Sequence, residues 1–120
     1  MTESFRTLPE LLAFCEIDAA VAGAGIHPDF ALRVTKYFAS LIEKGNSRDP
    51  LLLQVLPRNE EFQVVPGYQR DAVGDGLSMP VPGLIHKYRG RVLLTMTGAC
   101  AVHCRYCFRR HFPYSESRVD

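Results

Sequence analysis

The sequence predicts an α/β fold in which an N-terminal helical segment leads into the first strand of a parallel sheet or barrel, with the chemistry on the loop after that strand. Three observations predict it. Apolar residues recur at helical spacing as far as Pro57. Arg91-Val-Leu-Leu-Thr-Met-Thr97 is a β-prone run apolar on both faces, the pattern of a strand covered on two sides. Three of the four cysteines follow it directly, where α/β sheets and barrels place their reactive groups.

The elements can be justified in chain order. Thr7-Leu-Pro-Glu10 has capping-box spacing, and Leu8, Leu11, Leu12 and Cys15 form an apolar stripe, so a first helix is expected with Cys15 as a core thiol. Asp18 to Ala24 reads as a second short helix, stopped by Gly23, Gly25 and a turn at Pro28. Thr35 can cap a third, whose Phe38, Leu41 and Ile42 share a face and whose end is marked by Lys44-Gly45. Ser47 or Asp49 precedes Pro50, a favoured first helical residue, and Leu51 to Leu56 follows as a short apolar helix. Pro57 to Gly83 is rich in Pro and Gly, with room only for a brief strand near Phe62 to Val65. The expected organisation is a helical region over 1–57, a wrapping loop over 58–86, and the start of a barrel with its cysteine loop over 87–120.

Charge narrows the search further. The 120 residues are 47% hydrophobic and 22% charged, an ordinary globular composition that excludes disordered and fibrous classes. The apolar stretches are short, and Met1-Thr-Glu-Ser-Phe-Arg6 is not a basic region followed by an apolar one. No membrane span, no secretory signal and a cytoplasmic location are therefore expected. The formal charge is +1, yet between His86 and His111 lie six basic residues, three histidines and no Asp or Glu. Cys100, Cys104 and Cys107 fall in that window, and such crowding without a secretion signal points to a metal site rather than disulfides.

Cys100-Ala-Val-His-Cys104-Arg-Tyr-Cys107 is a Cys-x3-Cys-x2-Cys loop. Three thiolates at this spacing can hold three irons of a [4Fe–4S] cluster and leave the fourth iron open. With His103 or His111 as a fourth ligand the same thiols could close a zinc site, although structural zinc usually draws on separated segments.

With Tyr106 before its last cysteine, the loop resembles the signature of radical S-adenosylmethionine enzymes. The longer run Cys100 to Tyr114, Cys-Ala-Val-His-Cys-Arg-Tyr-Cys-Phe-Arg-Arg-His-Phe-Pro-Tyr, is similar to the lysine 2,3-aminomutase family, above all its elongation factor P β-lysylation branch. Upstream segments agree, among them Glu43-Lys-Gly-Asn46, Asp49-Pro-Leu-Leu52, Gln54-Val-Leu-Pro57 and Pro82-Gly-Leu-Ile-His-Lys-Tyr88. The resemblance runs from about Leu11 to Tyr114. It implies that the chain is the helical segment, first strand and cluster loop of a partial (β/α) radical-SAM barrel, with the rest of the barrel absent from these residues.

It also implies chemistry. Cys100, Cys104 and Cys107 match the cluster ligands, and Tyr106 the position near the adenine of S-adenosylmethionine, although Tyr106 also reads as an ordinary loop-packing aromatic. In the family, cleavage of S-adenosylmethionine gives a 5′-deoxyadenosyl radical, and pyridoxal 5′-phosphate carries the migrating nitrogen. Lys87, Tyr88 and Arg91 match positions that contact pyridoxal phosphate, and Arg109 the position that pairs with the carboxylate of the substrate L-lysine. The expected activity is conversion of L-lysine to β-lysine for modification of elongation factor P, in functional link with its lysyl ligase. An electron donor of unspecified identity is needed, and a homo-oligomer is compatible. Two alternatives are a catabolic lysine 2,3-aminomutase and an inactive iron–sulfur or zinc module. A basic stretch with interleaved aromatics also suits nucleic acid; at +1 overall, with those cations assigned to anionic cofactors and a carboxylate, neither nucleic acid nor membrane is expected as a partner. Lys36, Lys44 and Lys87 all precede the cysteine loop, so none matches the family's Schiff-base lysine, and the chain alone is expected to be marginally folded and inactive.

Overall fold

The computed structural model describes residues 3–26 and 30–114, so the turn expected at Pro28 lies outside the described residues. The chain divides into two compact units, Met1–Val64 with Cys100–Cys107, and Val65–Ala99 with Phe108–Asp120. The described residues contain two small antiparallel sheets and no closed barrel.

The first unit is the helical one. A two-residue strand β1 (Ser4–Phe5) pairs antiparallel with β2 (Val34–Thr35), and between them run α1 (Leu8–Cys15) and α2 (Ala19–Ala22). The stripe on α1 is the one its spacing requires: Leu11, Leu12 and Cys15 are buried. Thr7 stands at the N-cap, yet its side chain makes no capping bond. Pro9 occupies the second helical position and brings no N–H, which removes one of the two donors such a cap satisfies. Asp18 does cap α2, accepting from the N–H groups of Ala20 at 2.7 Å and Val21 at 3.3 Å, and Gly23 ends it in the left-handed conformation.

Thr35 accepts from Phe38 N–H and starts α3 (Lys36–Ser40), which stops before the expected Lys44-Gly45; Ile42 is buried, whereas Leu41 is exposed. Of the two candidates before Pro50, Asp49 is the cap of α4 (Pro50–Val55), accepting from Leu51 and Leu52 N–H, while its other oxygen accepts from Glu43 N–H. Leu11, Cys15, Val34, Leu52, Val55 and Leu56 are the fully buried centre of this unit. Each large aliphatic among them contributes roughly 1.5–3 kcal/mol relative to exposure. The expected strand near Phe62 is absent: Asn59–Phe62 is a 3-10 turn, and Val64 is exposed, with nothing for an alternating pattern to cover.

The second unit is built on a hairpin. β3 (Leu84–Tyr88) and β4 (Arg91–Leu94) pair antiparallel, with Leu84 opposite Leu94 and Tyr88 opposite Arg91, and an irregularity between Ile85 and Tyr88. Arg89-Gly90 makes the turn, Gly90 at φ 79°, a conformation suited to glycine. Where a covered parallel strand is expected over Arg91–Thr97, these residues give β4 an antiparallel partner, β3, on one edge. The tight turn commits this strand to the one before it, the strand ends at Leu94, and Val92, Leu93 and Leu94 are about half exposed. Among the described residues no helix is long and apolar enough to cross a membrane.

Candidate functional site

The cysteine loop belongs to the first unit and is fastened there by residues other than its cysteines. Arg105 is buried, and its guanidinium grips Glu61 by two bonds, Nε to Oε1 at 3.0 Å and Nη2 to Oε2 at 2.6 Å. Its Nη1 donates to the Phe30 carbonyl at 3.1 Å, its guanidinium carbon lies 4.9 Å from the centre of the Phe30 ring, and its backbone N–H donates to the Gln54 carbonyl. Glu61 also accepts from Arg58 N–H, so one carboxylate joins the 3-10 turn to the loop. His103 stacks on Phe30 at 5.2 Å and its N–H donates to the Arg33 carbonyl. Its Nδ1 lies 2.8 Å from the Ala31 carbonyl, and because a carbonyl only accepts, Nδ1 carries the proton. Val102 packs on the apolar core.

Cys100 is exposed and donates to the Val102 carbonyl at 3.1 Å, while Cys104 and Cys107 are half-buried and joined by a turn in which Cys107 N–H donates to the Cys104 carbonyl. Tyr106 is exposed and donates to Gln54 Oε1 at 3.3 Å; the charge and hydrogen bonding of the neighbouring Cys104, with Cys107 behind it, hold its hydroxyl above its ordinary pKa. Cys15 is a core thiol as expected: burial first, then the Asp49 carboxylate, push its pKa up. Among the described residues no three His, Cys, Asp or Glu side chains are gathered as a metal-binding group.

In the second unit, Lys87, Tyr88, Arg91 and Arg109 line one open pocket of about 360 Å³. The Arg91 guanidinium lies over the Tyr88 ring at 4.8 Å and that of Arg109 over the Phe108 ring at 5.1 Å. Lys87 Nζ donates to the Val73 carbonyl and stands 3.5 Å from Asp75 Oδ1. Arg109 Nε stands 3.6 Å from Asp75 Oδ2.

No protein-family model matches the chain. Against curated proteins, it is 51% identical over 112 residues to the L-lysine 2,3-aminomutase of Escherichia coli (strain K12), which covers 91% of this chain and 32% of that protein. The L-lysine 2,3-aminomutase of Haemophilus influenzae is 50% identical over 88 residues, 73% of the chain and 26% of the relative. That of Clostridium subterminale is 37% identical over 81 residues, 68% and 20% respectively. The chain belongs to the lysine 2,3-aminomutase family. It spans about a third or less of the length of these relatives.

Family membership gives a standard against which the two groups of residues can be judged. Three thiols on one eight-residue loop, with no carboxylate among them, are a soft donor set of the kind iron–sulfur clusters take, and no sulfur of the loop is engaged in a disulfide. The pocket in the second unit offers a lysine and two arginines, the cations that phosphate and carboxylate require. Sequence reasoning missed Arg105 as an anchor and Asp75 altogether. No local pattern announces Glu61 as the partner of Arg105, since the two are 44 residues apart. Asp75 had a signal: six cations over 86–111 with no acid between them need a counter-ion from elsewhere in the chain.

Proposed function

We propose that this chain forms the N-terminal part of a lysine 2,3-aminomutase that converts L-lysine to β-lysine for the modification of elongation factor P. The observation that carries the reading is 51% identity to an L-lysine 2,3-aminomutase over 91% of the chain, a span that leaves out too few residues to miss the cysteine loop. Cys100, Cys104 and Cys107 would hold a [4Fe–4S] cluster, with Tyr106 beside the adenine of S-adenosylmethionine. Lys87, Tyr88 and Arg91 would hold pyridoxal phosphate, and Arg109 the lysine carboxylate. When bound, these cofactors supply hydrogen-atom abstraction from lysine and the migration of its amino group from C2 to C3.

The chain's own residues bind and orient. Arg105 and His103 keep the cysteine loop against the helical unit without using a sulfur atom. Lys87 and Arg91 bring positive charge to a phosphate, and a guanidinium at 109 can meet a carboxylate with two parallel bonds, fixing which end of lysine enters first. The half-exposed Val92, Leu93 and Leu94 support β4 as the first strand of a (β/α) barrel completed by sequence beyond these residues. Work in the cytoplasm with an external electron donor belongs to the same reading.

The test uses the full-length protein, reconstituted without oxygen with iron, sulfide, S-adenosylmethionine, pyridoxal phosphate and a reductant, and given L-lysine. β-Lysine in the product mixture is the expected result, and unchanged lysine with all cofactors bound refutes the activity. Deletion of the gene should remove the β-lysyl mass from elongation factor P. A strain whose elongation factor P keeps that mass but no longer degrades lysine would point to the catabolic role instead.

A further inference from the structure

Asp75 is, among the described residues, the one acidic side chain in the pocket that the proposed function assigns to two anions, and it is itself buried. Its carboxylate gives a different oxygen to each of two cations: Oδ1 to Lys87 Nζ at 3.5 Å and Oδ2 to Arg109 Nε at 3.6 Å. The Oδ2 and Nε atoms are both buried and make no hydrogen bond, so charge and position, rather than a hydrogen bond, link Asp75 to Arg109. The loop that carries Asp75 is braced from behind. Asp71 accepts from the N–H groups of Asp75 at 3.0 Å and Gly76 at 2.8 Å, and these backbone bonds, that from Gly76 foremost, hold the Asp71 carboxyl below its ordinary pKa.

An ammonium has three N–H bonds, and those of Lys87 face the Val73 carbonyl, Asp75 and one further direction. A guanidinium approached at Nε keeps its terminal Nη pair for a second, two-bonded partner. We infer that Asp75 is a positioning residue for lysine binding: its carboxylate sets the separation of Lys87 and Arg109 and turns Arg109 so that the Nη pair is left for the substrate carboxylate. This inference rests on the assignment of Arg109 to that carboxylate. It accounts for an acid in a site built for anions, where an unopposed carboxylate would repel both ligands.

Calorimetric titration of L-lysine into the pyridoxal phosphate-loaded full-length protein tests it with four variants: Asp75→Asn, Asp75→Glu, Arg109→Ala, and Asp75→Asn combined with Arg109→Ala. Asp75→Asn should weaken lysine binding about tenfold or more, the scale of close charge pairs, and by more than it changes pyridoxal phosphate affinity. Asp75→Glu should recover part of the loss. In the Arg109→Ala background, Asp75→Asn should change lysine affinity little, because the group it acts through is gone. A full additional loss there, or no loss in the single Asp75→Asn variant, overturns the inference while Arg109→Ala still weakens binding. If Arg109→Ala itself leaves lysine affinity unchanged, the carboxylate assignment fails, and the inference with it. Should Asp75→Asn not fold, Asp75→Glu against the Arg109→Ala background carries the same comparison.

Discussion

Arg105 lies between two cysteines and turns its guanidinium away from them, into a buried fork with Glu61. Its worth is in what happens when one partner leaves. Arg105→Met removes the charged partner of the Glu61 carboxylate in a largely buried place and should cost about 3–5 kcal/mol, read as a drop in the urea midpoint of the first unit. Replacing Glu61 by Leu in the same protein should recover part of that loss, since two apolar side chains no longer bury a lone charge. Cys15 and Cys100 make a second contrast at this scale. The Cys15 thiol is buried and its pKa pushed up, which keeps it protonated at mildly alkaline pH, whereas Cys100 is exposed. Iodoacetamide applied to the folded, cluster-free protein at pH 8 should label Cys100 and spare Cys15, as read by peptide mass. Equal labelling would contradict the core assignment.

At the scale of elements, helix termini carry most of what local sequence decides. Asp49 is buried, and burial alone would raise its pKa; the N–H groups of Leu52, Glu43 and Leu51 together outweigh that and hold it below the ordinary carboxylate value. A folded-state pKa below the unfolded one means that the charged cap contributes stability at neutral pH and loses it as pH falls through the carboxylate range. Asp49→Ala should therefore cost about 1 kcal/mol at pH 7 and flatten the decline in stability below about pH 4, both visible in melts across pH. Gly25 is a second local constraint, because its N–H donates to the Pro57 carbonyl and a Cβ there would stand 2.4 Å from Asn59 Oδ1 and 3.1 Å from Asn59 N. Gly25→Ala should destabilise the first unit by about 1–3 kcal/mol; an unchanged melt would show that the turn yields. Thr35, Asp49 and Gly23 were legible because a cap needs only its own few residues. The Thr7 cap failed for an equally local reason, the Pro at the second helical position. β4 failed for a different one: an apolar run on both faces reports that cover is needed, and says nothing of which neighbour pairs with its edge.

For the whole molecule, the two groups of candidate residues occupy different units, the cysteines in the first and Lys87, Tyr88, Arg91 and Arg109 in the second. Spacing on one eight-residue loop is enough to single out the cysteines, because the three thiols are local to one another. The four pocket residues are reached by resemblance, and the fold lines one cavity with all of them. Glu61 was not legible, and Asp75 only as the need for some counter-ion, because each acts across sequence separations that only folding closes. The chain covers about a third or less of its relatives.

This cysteine loop and this pocket are proposed to serve a lysine aminomutase. That role is tested most directly by following carbon-13 L-lysine by NMR in the reconstituted full-length protein, side by side with Cys104→Ala. The account predicts β-lysine signals from the native protein and none from the variant. Undiminished lysine in both samples, with iron, sulfide and pyridoxal phosphate bound to the native protein, would contradict it.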